Sequence, residues 1–233
     1  MTAHNNLQIY TTAFDLLPNT IFFIKSPERD YLMANHGLVE MCCVATPEDL
    51  IGKTSADFFD RPYATWCHDL DSDVLEGRHF ENRLDRVATP NGELVWTLYS
   101  RRPLDQVFEH RVILSVSRKL PSHPSQAELY LPLQRVTEAI ESNLDRQWSA
   151  DDMSAISGLS KSKLNRGFKQ VFGHSPNAYV DAAKLRFAKF LLRRGHTLAD
   201  ISGQLGFSEQ SSFSRFFKRL SDLSPAQYAR SPT

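Results

Sequence analysis

The feature that most constrains this 233-residue chain is an internal repeat in its second half. The segment that begins at Asp152 matches the segment that begins at Asp200, and residues 164–169 match residues 213–218 after one inserted residue. The pairs Ser-Pro at 175–176 and 224–225 continue the match. Similarity maintained over this length indicates one supersecondary unit present in two copies.

Each copy has the pattern of a helix, a tight turn and a second helix. In the first copy, Ser149 is suited to cap one helix, Gly158 supplies the turn and Ser160 is suited to cap the next helix. Asp151 and Asp152 suit the positive end of the first helix dipole. The residues predicted to do the same work in the second copy are Thr197 for the first cap, Gly206 for the turn and Ser208 for the second cap.

Apolar residues recur at helical spacing in both copies and in a long helix predicted over residues 177–194 between them. They are expected to form the buried face. In the second helix of the first copy they are Leu164, Phe168 and Val171; in the second copy they are Phe213, Phe216, Phe217 and Leu220; in the connecting helix they are Tyr179, Val180, Ala183, Ala188, Leu191 and Leu192.

A helix of this kind can enter the major groove of DNA, which is wide enough to admit it. Arg can bind guanine in bidentate fashion, Gln and Asn can bind adenine, and Lys and helix N-termini can hold phosphates. The polar residues left on the second helices suit this chemistry: Lys161, Lys163, Asn165, Arg166 and Lys169 in the first copy, and Gln210, Ser211, Ser214, Arg215 and Lys218 in the second. The alternative is a plain helical bundle whose charged residues form a solvated face.

The charge is unevenly divided along the chain, although 27 basic and 27 acidic side chains give a formal net charge of zero. Residues 1–124 hold 12 Lys and Arg against 17 Asp and Glu, whereas residues 125–233 hold 15 against 10. A basic second half favours contact with nucleic acid. A hydrophobic content of 41% argues against a disordered chain, and the three cysteines (Cys42, Cys43 and Cys67) are predicted to be reduced thiols.

The first half has strand patterns on either side of a helical middle. Strands are predicted over 20–25, 30–34, 81–87, 93–100 and 111–117, and helices over 55–59 and 62–75. This order predicts an α+β domain with helices over one face of an antiparallel sheet. The two prolines and small polar residues of 119–126 predict a boundary, with domains at 1–118 and 129–233 and a linker at 119–128.

Four segments of the first half, taken in order, resemble a PAS domain. They are residues 17–25, 31–35, 50–54 and 71–77, and the resemblance covers about residues 10–118. It implies a five-stranded antiparallel sheet with flanking helices, which often encloses a ligand cavity or forms a dimer face. The aromatic and Met residues Phe22, Met33, Phe58, Trp66 and Trp96 are better explained as core than as a cofactor site.

The repeat resembles the C-terminal DNA-binding domain of the AraC/XylS family. The resemblance covers about residues 130–230 and is carried above all by residues 206–218 and by Ser224-Pro225-Ala-Gln-Tyr228. It implies two helix-turn-helix units, at about 150–172 and 198–220, that read neighbouring major-groove segments about 34 Å apart on one face of DNA. The base-facing residues that it implies are Ser162, Asn165 and Arg166 in the first unit and Gln210, Ser211 and Arg215 in the second.

Four positions depart from the family pattern. Ser154 and Ser202 stand where Ala is usual, and Lys184 stands where Arg is usual. Gly167 lies inside the first recognition helix, where glycine costs about 1 kcal/mol relative to Ala.

The sequence as a whole predicts a bacterial cytoplasmic transcription regulator that binds double-stranded DNA at Lys161, Ser162, Asn165, Arg166, Lys169, Gln210, Ser211, Arg215 and Lys218. A homodimer is expected, with RNA polymerase as a partner if the protein is an activator, which is the family's commoner habit. Two other classes of protein fit the sequence less well. An enzyme would need a nucleophile with a base, paired carboxylates or a metal cluster, and none is evident, nor is a cofactor or a metal site predicted. A pure protein-interaction module would leave the basic recognition helices without a role. The signal is open: an unidentified small molecule in the PAS-like domain, or pairing with another copy.

Overall fold

The computed structural model describes residues 3–105 and 110–230 and divides the chain into two compact units, Met1–Ala127 and Glu128–Thr233. No helix in these described ranges has the length and apolar character needed to cross a membrane.

The N-terminal unit is built on a five-stranded antiparallel sheet with the strand order β2-β1-β5-β4-β3. The predicted fold class is confirmed in this unit, with every strand close to its expected position. The strands are β1 (Thr20–Lys25), β2 (Tyr31–Ala34), β3 (Phe80–Ala88), β4 (Leu94–Leu104) and β5 (Val112–Lys119). The helices are α1 (Ala3–Asp15), α2 (His36–Cys42) and α3 (Arg61–Leu75), together with 3-10 helices at Pro47–Asp49 and Ser55–Asp57.

Both faces of this sheet are covered. On one face, Phe14 of α1 stacks on Phe22 of β1 with ring centroids 4.3 Å apart, and it packs beside the apolar face of β5 formed by Val112, Leu114 and Val116. These three residues share one face because alternate side chains of a strand point to the same side of the sheet. The opposite face of the sheet packs against α2 and α3, with two further clusters of buried apolar residues between them. Helix α1 was not predicted from the sequence.

The segment predicted as a linker is partly helical. Helix α4 (Pro124–Ser142) starts inside 119–128, and the division between the two units falls within this helix. Proline is tolerated at the first position of a helix, because its missing N–H would have no partner there and its φ is already helical. Pro124 therefore opens a helix where the sequence suggested a linker. Residues 120–123 separate α4 from β5.

The C-terminal unit is helical throughout its regular structure and contains the two predicted helix-turn-helix units. After α4 come α5 (Ala150–Ser157), α6 (Lys161–Phe172), α7 (Pro176–Arg193), α8 (Leu198–Gln204), α9 (Gln210–Ser221) and α10 (Pro225–Arg230). Helices α5 and α6 form the first unit, α8 and α9 form the second, and α7 connects them. The residues predicted to face inward on α6, α7 and α9 are buried, except Leu220, which is half-buried against the same core.

The caps agree with the sequence at three of four positions. Ser149, Ser160 and Thr197 each accept a hydrogen bond from a backbone N–H in the first turn of the helix that follows. The expectation for Ser208 is wrong, because Glu209 occupies the cap of α9 and makes no side-chain cap bond. The cause is the one extra residue that the second copy has between its two helices, which moves the start of α9 one position along the chain.

Candidate functional site

The first helix-turn-helix unit is fixed by side-chain hydrogen bonds at its turn and its entry. Ser149 and Asp152 form a reciprocal capping box on α5, and Gly158 ends that helix with a φ of 69°. Because the left-handed region is costly for residues with a Cβ, glycine is the natural residue there. Ser160 then caps α6, with its Oγ accepting from Lys163 N at 3.3 Å.

Two serine hydroxyls, at positions where the AraC/XylS family usually has alanine, hold the two turns in the same way. Ser154 Oγ donates to the carbonyl of Leu159, and Ser202 Oγ donates to the carbonyl of Phe207 at 3.5 Å. Each serine thus reaches a turn residue five positions along the chain. These departures from the family pattern therefore have an equivalent structural role in both copies.

Helix α6 is strongly amphipathic. Leu164, Gly167, Phe168, Val171 and Phe172 are buried, and all five predicted DNA-contacting residues of this helix are exposed. Four of them follow the spacing i, i+3, i+4, i+7 and form one surface stripe. That stripe contains Ser162, Asn165, Arg166 and Lys169. The fifth predicted residue, Lys161, has its Nζ 2.7 Å from Asp151 Oδ1, so this ammonium is held at the start of the helix.

Helix α9 presents an equivalent exposed face. Gln210, Ser211, Arg215 and Lys218 are exposed, while Phe213, Phe216 and Phe217 are buried beneath them. Arg215 Nη2 donates to Ser212 Oγ at 3.2 Å, a contact that leaves most of the guanidinium donors available. Ser211 Oγ donates to Glu209 Oε2 at 3.0 Å. The structure therefore places the predicted residues of each unit on one accessible helix face.

Gly167 allows α4 to lie directly against the first recognition helix. A Cβ built at this position would lie 3.0 Å from Leu129 Cδ1 and 3.4 Å from Leu133 Cδ1, both on α4. Gly167 lowers the helix propensity of α6, but it permits this close packing on the helix face opposite the polar stripe.

The second unit is held by backbone contact and by a buried lysine. A Cβ on Gly206, whose φ is 71°, would lie only 1.6 Å from the carbonyl oxygen of Asp145. Lys184, 4% exposed, donates from Nζ to the carbonyl of Leu205 at 2.9 Å and lies over the Phe207 ring. Burial lowers the pKa of Lys184 below its ordinary value, and Asp181 partly opposes this effect. The lysine at the family's arginine position thus fixes the turn of the second unit.

A second candidate site lies inside the N-terminal unit, where Lys25, Asp71 and Arg101 form a buried ionic cluster. Asp71 accepts from Lys25 Nζ at 2.8 Å and from Arg101 Nη1. Ser55 Oγ accepts a further bond from Lys25 Nζ at 2.8 Å. Burial lowers the pKa of Lys25, an effect that Asp71 partly offsets. Burial also works against the charge of Arg101, but Asp71 together with Cys67 and Tyr99 outweighs it, so the pKa of Arg101 is raised.

Arg101 and Ser55 connect this cluster to the wall of a cavity of about 40 Å³ between the sheet and the helices. Trp66, one of the aromatic residues assigned to the core from the sequence, lines this cavity. Cys67 also lines it, and burial raises the pKa of this thiol above its ordinary value. Sequence reasoning identified none of the polar residues of the cavity. Strand alternation was the available signal, because Thr97, Tyr99 and Arg101 occupy alternate positions of β4.

No group of three or more His, Cys, Asp or Glu residues suited to a metal ion is present in the described ranges. Cys42, Cys43 and Cys67 are free cysteines; Cys42 and Cys67 are buried and Cys43 is exposed. Burial raises the pKa of the Cys42 thiol to about 12.

Comparison with known proteins gives matches in both units. Residues 153–231 match the family described as a helix-turn-helix domain, and residues 14–115 match the family described as a PAS fold. Among similar proteins, the Right origin-binding protein of Escherichia coli (strain K12) is 39% identical over 94 residues, covering 40% of this chain and 32% of that protein. The HTH-type transcriptional regulator MtrA of Neisseria gonorrhoeae is 30% identical over 100 residues, covering 41% and 33%.

The aligned region spans about a third of each of these two relatives. A solved structure of a transcriptional regulator with an AraC-type DNA-binding domain, from Chromobacterium violaceum, is 26% identical. It covers 47% of this chain and 97% of its own, with a TM-score of 0.40. The two family matches fall on the segments that carried the two resemblances in the sequence.

Proposed function

Because this chain joins a PAS fold to a helix-turn-helix domain of the AraC type, we propose that it is a transcription regulator that binds double-stranded DNA in a sequence-specific manner. The observation that carries the proposal is the pair of exposed polar faces on α6 and α9, each backed by a buried aromatic face and each ending in basic residues. Two such helices suit two neighbouring segments of major groove.

Base reading is assigned to Ser162, Asn165 and Arg166 on α6 and to Gln210, Ser211 and Arg215 on α9. Lys161, Lys169 and Lys218 are assigned to phosphates, which set register without reading sequence. To bind a phosphate, the Lys161 ammonium would leave the Asp151 carboxylate and contact the phosphate instead. An anionic phosphate at the N-terminus of either helix is also favoured by the helix dipole.

The test is selection of binding sites from random duplexes with the purified full chain, followed by affinity measurement on the selected site. Replacing Arg215 with Ala is expected to weaken binding to that site by about 1–3 kcal/mol and to relax the preference at the base pair that Arg215 reads. The matched control is Arg135→Ala, which removes an exposed arginine of α4 outside both recognition helices. It is expected to leave the preference unchanged.

An R215A protein that selects the same sequence with the same stringency would overturn the assignment of Arg215. A wild-type chain that selects no sequence at all would overturn the proposal of sequence-specific binding.

The PAS fold is assigned the regulatory role. Binding of a small molecule, or pairing with a second copy, would favour one arrangement of the chain over another and so change the affinity for DNA. A homodimer, contact with RNA polymerase during activation, and action in the bacterial cytoplasm, where the target DNA lies, complete the proposal.

A further inference from the structure

We propose that the PAS cavity binds a short monocarboxylate of the size of acetate, held through Arg101. This inference deepens the sensing role proposed above and rests on it only for its regulatory meaning, since binding itself can be measured alone. The cavity lies wholly within the N-terminal unit.

Arg101 is a buried cation with an unused hydrogen-bond donor. The side chain of Arg101 is 6% exposed, with its guanidinium 5.2 Å from the Phe23 ring centroid and 5.8 Å from that of Tyr99. Nη1 donates to Asp71, whereas Nε is buried and has no hydrogen-bond partner in the described part of the chain. Leaving such a donor unsatisfied is costly, so the site favours an added acceptor.

Hydroxyls without side-chain hydrogen bonds lie on the same face of the sheet as Arg101. Ser115 is the cross-strand partner of Arg101, and its buried Oγ likewise lacks a hydrogen-bond partner among the described residues. Ser117 pairs with Tyr99, two positions along, and Thr97 is next on β4. Ser117 and Thr97 both line the cavity. Neither side chain forms a hydrogen bond within residues 3–105 and 110–230.

The buried cluster also holds more positive than negative charge. With Lys25 protonated, two cations share the single carboxylate of Asp71 in the buried cluster. The acidic residue that lines the cavity, Asp85, is half-buried and accepts from the Tyr63 hydroxyl at 3.2 Å. A bound anion beside Arg101 would therefore balance the cluster, and two carboxylate oxygens would accept from Nε and from the hydroxyls.

Size and the remaining walls select the rest of the ligand. A cavity of about 40 Å³ is far below the roughly 300–1,000 Å³ of sites for drug-sized ligands, so only a few heavy atoms fit. Ile21, Leu38, Met41 and Val87 give it an apolar side. A carboxylate with one or two carbons attached meets both conditions.

The experiment measures binding of ¹³C-labelled acetate to the full chain by NMR, with ionic strength matched by sodium chloride. Saturable binding is expected, and acetamide, which is neutral and of similar shape, should bind at least tenfold more weakly. Thr97→Val keeps the side-chain shape but removes the hydroxyl, and it should weaken acetate about threefold to tenfold. Arg101→Lys removes Nε and should weaken acetate further, whereas Arg102→Lys, at the exposed neighbouring position, should have no effect.

Equal binding of acetate and acetamide, or no saturable acetate binding, would overturn the carboxylate assignment. Unchanged binding in both T97V and R101K would overturn the assigned location. DNA retardation is measured on the same protein without acetate. Retained DNA binding with no acetate binding contradicts this inference alone, and bound acetate without DNA binding contradicts only the proposed function.

Discussion

At the residue scale, the two turn glycines have different reasons to be glycine. Gly158 has a φ of 69°, and a Cβ added there would meet no neighbouring atom within 4 Å. Gly206 has a φ of 71°, and backbone atoms of Asp145 occupy the space that its Cβ would need. The first glycine therefore satisfies a conformational requirement alone. The second satisfies the same requirement and also a requirement for space.

Replacing each glycine with Ala separates the two effects. Gly158→Ala is expected to lower the free energy of unfolding by about 1–2 kcal/mol, the cost of a left-handed residue with a Cβ. Gly206→Ala is expected to cost about 1–3 kcal/mol more, because the backbone near Asp145 must move. Chemical denaturation of the full chain, monitored at the C-terminal unit, measures the difference. Equal losses in the two variants would contradict the close approach at Gly206.

At the element scale, α5 begins with a capping box whose strength depends on pH. Hydrogen bonds from the Ser149 hydroxyl and the Ser149 backbone N–H hold the pKa of Asp152 below its usual value, with a further contribution from Arg146. Because the folded pKa is depressed, this contribution to stability is complete above the unfolded pKa of about 3.9. It is lost as the pH falls through the folded pKa.

An NMR titration of the backbone amides of α5 tests this expectation. The Asp152 midpoint should lie below about 3.9 in the native chain and move upward in Ser149→Ala, which removes one of its donors. Thr197→Ala removes the corresponding cap of α8 and should leave the Asp152 midpoint where it is. A native midpoint at or above the unfolded value would show that the box does not stabilise the carboxylate.

At the scale of the whole molecule, the excess of basic residues lies in the second half of the chain. The proposed DNA binding is therefore expected to weaken as the salt concentration rises. Each phosphate neutralised by a lysine or arginine contributes about 0.9 to the fall of log K with log salt concentration. Lys169→Ala is therefore expected to make that slope shallower by about 1 and to weaken all duplexes alike. Binding titrations over a range of sodium chloride concentrations measure both quantities. A loss confined to the selected site would instead place Lys169 among the base-reading residues.

The helical half was predictable because its signals are local. Caps, turn glycines and apolar spacing act within a few residues, and the repeat presents each signal twice. The exception was Ser208, because a one-residue insertion shifts a helix start without changing the apolar pattern that follows.

The cavity was not predictable because its polar residues lie on a buried face of the sheet, whereas the polar side of an alternating strand normally faces solvent. Val112, Leu114 and Val116 alternate with Ser115 and Ser117 along β5, so alternation alone would place the apolar side chains in the core and the serines on the exposed side. In the structure both sides are covered, and Lys25 and Arg101 are buried on the side that seemed polar. The long-range pairing of Asp71 with these two cations offsets much of the cost of burying them.

The contact of α4 with Gly167 gives the two recognition helices unequal neighbours. Leu129 and Leu133 support α6 from a helix that starts soon after β5, whereas the turn ahead of α9 abuts the backbone of Asp145. Mutations in this leucine pair are thus expected to disturb α6 and to leave α9 in place. For a regulator of the proposed kind, such mutations would change the preferred binding site through side chains that lie outside both exposed polar faces.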